Sequence, residues 1–453
     1  MAPHSHKSSL LRLPIEVLTM IFGGVPSPKE LRGAFLSCKH LCDVILANQH
    51  AISYLMLRST FNDEHLSIAV ARDAVERATW RQLLNPKFRK DMAEGYEQKI
   101  VDFCEEYIGQ PGATPLPLQK DVTLDMANRL ARFRGTASMI ADFYGLSFGG
   151  CSRQINAGVD QFLSGRDAKY DPAMDMPMTQ TERWRVEKVL YIIEMVRFLF
   201  PLAPHGKTTP EKIESGDNDM AFVRFWQYFA PWENEQAKTI MEWFTYSVKS
   251  ALKSRFFSRT VYSRRSHDRS SSIVFLIGIN GMLPILLSEN VDLSLYQQIV
   301  KTYECPLVNN KYRRRISTKD RAYFNHPNHL GTKWAKLSEL NYYKKFEVAG
   351  EENGPRDAWM YNLPWHQERV FWGRLRKYLR YDMVGAVELK LAMFWDRSRL
   401  DRRFTKPMRF PTYKQMLRES ERNEVELSDD TCKTDAHDYV FLNHVTNHIV
   451  VSV

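Results

Sequence analysis

The chain has 453 residues, 44% apolar and 26% charged, a balance that excludes wholesale disorder or a fibrous repeat. Its 63 Lys and Arg against 53 Asp and Glu leave a net charge of +10, too thin over this length to imply nucleic acid by itself. Six cysteines without a C-x-x-C pair exclude a disulfide scaffold and fit a reducing compartment.

Residues 1–9 are polar and expected to be disordered. A Leu/Ile/Val-rich unit occupies 10–58, where Arg12 and Glu16 interrupt the first leucine-rich stretch and spoil any signal-peptide core. A helix is predicted over 62–80, with Asn62 as N-cap and acids in its first turn. Tyr96, Ile100, Phe103 and Tyr107 carry helical spacing through 94–108, which ends at Gly109. Pro111, Gly112, Pro115 and Pro117 then make a linker, so 59–118 is assigned as a helical linker region.

The body, 119–410, is expected to be helical. Its first helix spans 119–144. The clearest helix start is the capping-box pattern Thr179-Gln-Thr-Glu182, opening a run that Pro201 stops after Phe200. Val186, Val189, Leu190, Ile193 and Val196 share one side, and Trp184, Tyr191 and Phe198 lie beside them. A helix apolar around so much of its circumference belongs in the middle of a core. Further helices are predicted at 219–230, 232–254, 273–287 and 366–393. The run Ile273 to Leu287 is broken by Gly278, Asn280, Gly281 and Pro284, short of the ~20 apolar residues a membrane span needs. A soluble intracellular protein, cytoplasmic and/or nuclear, is the expectation. The tail, 411–453, turns acidic from Glu419 to Asp430, where mobility is expected, and ends in HVTNHIVVSV, a short strand by its β-branched content. The fold class is mainly α.

One short stretch points to function. Residues 11–22 read LRLPIEVLTMIF, and Pro14 suits a first helical turn because its missing N–H is not needed there. At about 100° per residue, Pro14, Ile15, Val17, Leu18, Ile21 and Phe22 fall on one arc, which Met20 widens to roughly 220°. Only Glu16 and Thr19 are left for the polar side. A surface helix needs an apolar stripe of about 100°, so the surplus must be covered by something else. A unit of about 50 residues is also marginal without outside support. Both points fit a three-helix unit that keeps apolar surface for a partner.

Leu13-Pro14-x-Glu16-Val17-Leu18-x-x-Ile21-Phe22, a Pro28-containing turn, Leu31, and then Leu36-Ser37-Cys38-Lys39-x-Leu41-x-x-x-Ile45 together resemble an F-box. That module docks a substrate receptor onto the Skp adaptor of a cullin-based ubiquitin ligase. Two departures from the family pattern are Gly23-Gly24, where the first helix usually continues, and Leu41 in place of an aromatic. The resemblance implies adaptor contacts from Leu13, Pro14, Ile15, Val17, Leu18, Ile21, Phe22, Leu31, Leu36, Cys38, Lys39 and Leu41. Three later stretches are similar to those of a set of fungal F-box proteins: Thr181-Glu182-Arg183-x-Arg185, Pro231-Trp232-Glu233-x-Glu235-Gln236 and Phe394-Trp395-Asp396-x-x-Arg399-Leu400. They imply a helical receptor and no particular target.

Several constellations imitate chemistry without supplying it. His205-Gly206-Lys207-Thr208 lacks the upstream glycine of a phosphate loop, since Pro201 stands there. Ser266-His267-Asp268 are adjacent and cannot form a relay, so a solvated basic loop is expected. His444 and His448 on a strand lie about 13 Å apart, and His326 with His329 lacks a third ligand. Cys38 and Cys42, spaced i and i+4, read as core residues of the F-box more readily than as a metal pair. Glu105-Glu106 reads as a solvated face. No enzyme activity, metal or cofactor is therefore expected. The alternative to a ligase receptor is a nucleic-acid-associated regulator using the basic segments 253–269 and 311–315, which also resemble nuclear targeting runs.

Overall fold

The computed structural model describes residues 9–77, 89–109, 115–148, 177–199 and 264–287, with parts of 224–247, 354–356 and 394–399. These are mainly helical, and no strand occurs among them. The expected helix at 366–393, the C-terminal strand and the acidic tail lie outside the described residues. The chain forms two compact units that interleave in sequence: Met1–Met139, Glu187–Tyr228 and Ser272–Val308 make the first, and Ile140–Val186, Phe229–Ser271 and Asn309–Val453 the second.

The first unit opens with a 3-10 turn, Ser9–Arg12, followed by α1 (Ile15–Gly23), α2 (Pro28–Ser37), α3 (Lys39–Ala47) and α4 (Gln49–Thr60). Four α-helices therefore stand where three are predicted. Asn48 explains the fourth. Its backbone leaves the helical region (φ −114°, ψ 21°) and its side-chain amide donates to the Val44 carbonyl at 3.0 Å, so the chain turns and re-enters helix. Ile52 and Met56 of α4 then join Leu18, Phe22, Leu31, Leu41, Val44 and Ile45 in one core, on which Leu124 also packs. His50 Nδ1 lies 2.9 Å from the Val122 carbonyl oxygen, which can only accept, so the ring donates.

The next boundaries follow local hydrogen-bond chemistry. Asn62 Oδ1 accepts the His65 N–H at 2.8 Å, the expected N-cap of α5 (Asp63–Arg77). The following α6 (Arg89–Tyr107) stops at Gly109, whose positive φ of 74° lets its N–H reach the Cys104 carbonyl at 2.8 Å. Burial pushes the Cys104 thiol well above its ordinary range, with Glu105 adding to the effect. The single helix predicted over 119–144 is split. A 3-10 turn, Gln119–Asp121, precedes α7 (Leu124–Phe148), because Thr123 Oγ1 accepts the Met126 N–H at 3.2 Å and restarts the helix.

Buried charges in this unit are paired. Arg72 lies over the Phe133 ring, 4.0 Å from its centroid, and reaches Glu76 at 2.5 Å. Asp73 is held by Arg77 at 2.9 Å and Arg129 at 2.7 Å. The capping box opens α8 (Gln180–Leu199) as predicted. Its residues from Glu187 onward belong to this unit. Val189, Leu190, Tyr191, Ile192, Ile193 and Val196 are all buried, so the expectation of a buried central helix holds for them. The Tyr191 ring packs 4.8 Å from Phe133.

The last described helix, α9, runs Arg264–Leu287. It begins nine residues before the predicted start at 273, so Ser266, His267 and Asp268 are helical instead of lying in a loop. A helical run favoured by the apolar stretch behind it carries these polar residues along. At Gly278 (φ 66°) the helix kinks, and the buried Glu194 carboxylate accepts the freed Ile279 N–H at 2.7 Å. A Cβ at Gly278 would stand 2.5 Å from Glu194 Oε1, so both backbone and space require glycine. Of 219–230, residues 224–226 are helical and the chain then turns through 3-10 bonds from Gln227 to Arg224 and Tyr228 to Phe225.

In the second unit, two stretches distant in sequence meet on one carboxylate. Glu182, fully buried, accepts the Thr179 N–H (2.9 Å) and the Asp396 N–H (2.9 Å). It also takes two charge-assisted bonds from the Arg399 guanidinium, both 2.8 Å. Thr179 Oγ1 accepts the Glu182 N–H and donates to Asp396 at 2.5 Å. Arg185 donates to Asp396 at 2.7 Å and to the Phe394 carbonyl at 3.0 Å. An aromatic group surrounds Tyr144, with Trp243 edge-on at 5.1 Å and Phe394 at 5.3 Å. Further on, Glu233 accepts the Ala230 N–H at 2.8 Å and starts the helical residues found between 232 and 247.

Three variants test this packing. Leu190→Ala leaves a cavity in a filled core and is expected to cost ~2–5 kcal/mol in urea unfolding. Glu182→Gln strands the buried Arg399 charge and is expected to cost ~3–5 kcal/mol, whereas Glu182→Leu with Arg399→Met should cost much less.

Candidate functional site

The α1 helix starts at Pro14, whose carbonyl accepts the Leu18 N–H at 3.1 Å while its own ring sits just outside the first turn. From there the predicted adaptor residues divide by direction. Leu18, Phe22, Leu31 and Leu41 are buried in the core of α1–α4. Leu13 and Cys38 are half-buried against it. Pro14, Ile15, Val17, Ile21, Leu36 and Lys39 are exposed. Buried residues hold the helices, and only the exposed set is available to a partner.

Helical geometry explains the division. At about 100° per residue, Leu18, Phe22, Thr19 and Gly23 follow one another around one side of α1, and Glu16, Met20, Val17 and Ile21 around the other. Apart from Glu16 that second side is apolar, and Met20 is 70% exposed. Residues of this kind in adjacent positions form a patch that water covers at a cost. Met20 was absent from the predicted contact set, although its angle between Glu16 and Val17 was readable from spacing.

The predicted polar side needs a correction. Thr19 does not face solvent. Its Oγ1 is buried without a hydrogen-bond partner, as is that of Ser53 on α4. The reason is the close approach of α4 at Gly23, where an added Cβ would stand 2.5 Å from the Leu55 Cβ. The Gly23-Gly24 departure thus has a packing role in this chain, admitting α4 beside α1 and drawing Thr19 inward. Leu41, in place of an aromatic, simply fills the core.

Cys38 and Cys42 are free thiols, both half-buried. Among the described residues no cluster of three His, Cys, Asp or Glu side chains is placed to hold a metal. Glu105 and Glu106 are exposed, as a solvated face should be. His205–Thr208, His326, His329, His444, His448 and 311–315 lie outside the described residues, and of 253–269 only the helical backbone from Arg264 is described.

Comparisons with protein-family models, with curated proteins and with solved structures found no match to this chain. No helix among the described residues is long and apolar enough to cross a membrane.

The orphaned hydroxyl offers a direct check on α1 orientation. Thr19→Val keeps the shape and removes an unsatisfied group, so it is expected to stabilise the chain by about 1 kcal/mol in chemical denaturation. A loss of stability would place Thr19 on the solvent side.

Proposed function

We propose that the chain is an F-box-type substrate receptor, docking through α1 onto the Skp adaptor of a cullin-based ubiquitin ligase. The observation that carries this reading is the apolar outer face of α1, with Val17, Met20 and Ile21 exposed while Leu18 and Phe22 of the same helix are spent on the core. The sequence pattern from Leu13 to Ile45 supports the same partner. In this reading the helical remainder presents a protein target, and ubiquitin transfer belongs to the other subunits. The chain itself makes and breaks no bonds.

Val17→Asp with Ile21→Asp separates docking from folding, because both side chains already point outward. An interface anchor typically carries ~2 kcal/mol or more, which is about 30-fold in affinity. Co-purification of adaptor and cullin should therefore be lost while the circular dichroism and thermal midpoint stay at wild-type values. Failure of the wild-type chain to bind adaptor, or undiminished recovery by the double variant, refutes the reading.

A further inference from the structure

The start of α8 carries a hydroxyl whose two partners would answer an added negative charge in opposite ways. Thr179 is exposed, as are Gln180 and Thr181 after it. Its Oγ1 accepts the Glu182 N–H at 3.1 Å and donates its proton to Asp396 Oδ2 at 2.5 Å. The first bond starts the helix, and the second ties that start to a residue 217 positions away. The tied stretch carries aromatic weight. Phe394 and Trp395, just before Asp396, are buried, and Phe394 packs on Tyr144 with ring centroids 5.3 Å apart.

The cations around this hydroxyl are already engaged. Arg399 donates to both oxygens of Glu182 and to the Pro177 carbonyl at 2.7 Å. Arg185 holds the other oxygen of Asp396 together with the Phe394 carbonyl, and Arg183 reaches Asp142 at 2.6 Å. A phosphate on Thr179 Oγ1 would stand beside the Asp396 carboxylate while these three arginines serve other acceptors. The ester oxygen has no proton to donate, so the bond to Asp396 is lost and repulsion replaces it. The helix end responds differently. Phosphate oxygens accept the Glu182 N–H in place of the hydroxyl, and the N-terminal end of the helix dipole favours negative charge. Modification thus keeps the cap and breaks the tie.

We infer that Thr179 is a phosphorylation site, and that its phosphate loosens the stretch 394–399 from the start of α8 while leaving the helix in place. The reaction is phosphoryl transfer from ATP by a serine/threonine protein kinase. The Oγ1–P bond forms, the bond from the γ-phosphorus to the bridging oxygen breaks, ADP leaves, and the hydroxyl proton passes to the base of the kinase. Gln180 directly after the acceptor suits kinases that require glutamine at that position, whereas Thr181 is followed by Glu182. An N-cap residue lies at a helix end, where local opening costs least. Loosening the tied stretch uncovers Phe394 and Trp395, so the modification changes the surface that the second unit presents. The inference is separate from adaptor docking, which uses α1 in the first unit.

The test uses the full chain, a purified glutamine-directed kinase with magnesium ATP, phosphopeptide mass spectrometry and amide hydrogen exchange. Phosphate is expected on Thr179, and Thr179→Val should lose that phosphopeptide. Exchange in peptides covering 394–399, which include the Asp396 N–H donated to Glu182, should speed up on phosphorylation. The expected change is at least about tenfold, the scale of one lost hydrogen bond to a charged group, with the amides of α8 keeping wild-type protection. An isosteric pair makes the same test without a kinase. Asp and Asn both cap helices well, so Thr179→Asp should reproduce the faster exchange and Thr179→Asn, whose amide still donates to Asp396, should not. No phosphate on Thr179, with a synthetic peptide of residues 175–185 labelled in parallel, overturns the site. Equal exchange for Thr179→Asp and Thr179→Asn overturns the release.

Discussion

A buried carboxylate is tolerable only when its lone pairs meet donors and its charge meets a cation. Glu182 satisfies this with two backbone N–H groups and a bidentate guanidinium. Because the donors come from Thr179, Asp396 and Arg399, one side chain starts a helix and anchors a segment more than 200 residues away. Arg185 and Thr179 in turn occupy both oxygens of Asp396. Three stretches singled out by resemblance are in the same unit, and two of them meet here.

The first unit has two regions built on different physics. Near α5 and α8, acids such as Asp73 and Glu194 are buried and answered by arginines or backbone N–H groups. Directional partners of this kind specify one arrangement. The helices α1–α4 are held by apolar packing, and none of them has a side-chain N-cap hydrogen bond. They also bury the Thr19 and Ser53 hydroxyls unanswered. A region with fewer specific bonds and an uncovered apolar face has less stability of its own, which suits an element completed by association.

What could be read from sequence is what forms within a few residues. Asn62, Gly109 and the Thr179–Glu182 box mark helix ends because each satisfies a backbone group three to five positions away, and the structure bears all three out. The mainly α class follows from the same periodicities. The buried middle of α8 was legible too, since a helix apolar around so much of its circumference has little orientation to choose. The apolar excess of α1 was equally visible.

Only tertiary packing decided the rest. An apolar arc of roughly 220° exceeds what one contact covers, so spacing alone cannot say which part turns inward. The approach of α4 at Gly23 settled that, placing Thr19 inside and Met20 outside. The fourth helix and the early start of α9 are different: a bond from Asn48 to the Val44 carbonyl four residues back and propagation through polar residues are local, but the apolar periodicity does not mark them. The use of Glu182 by Arg399 was hidden because capping boxes are local and ion pairs are not. Sequence determined the helix ends that carry a local cap and the apolar excess of α1, because those are properties of neighbouring residues. Which excess is buried and which is left for a partner is decided by side chains that meet only after the chain has folded.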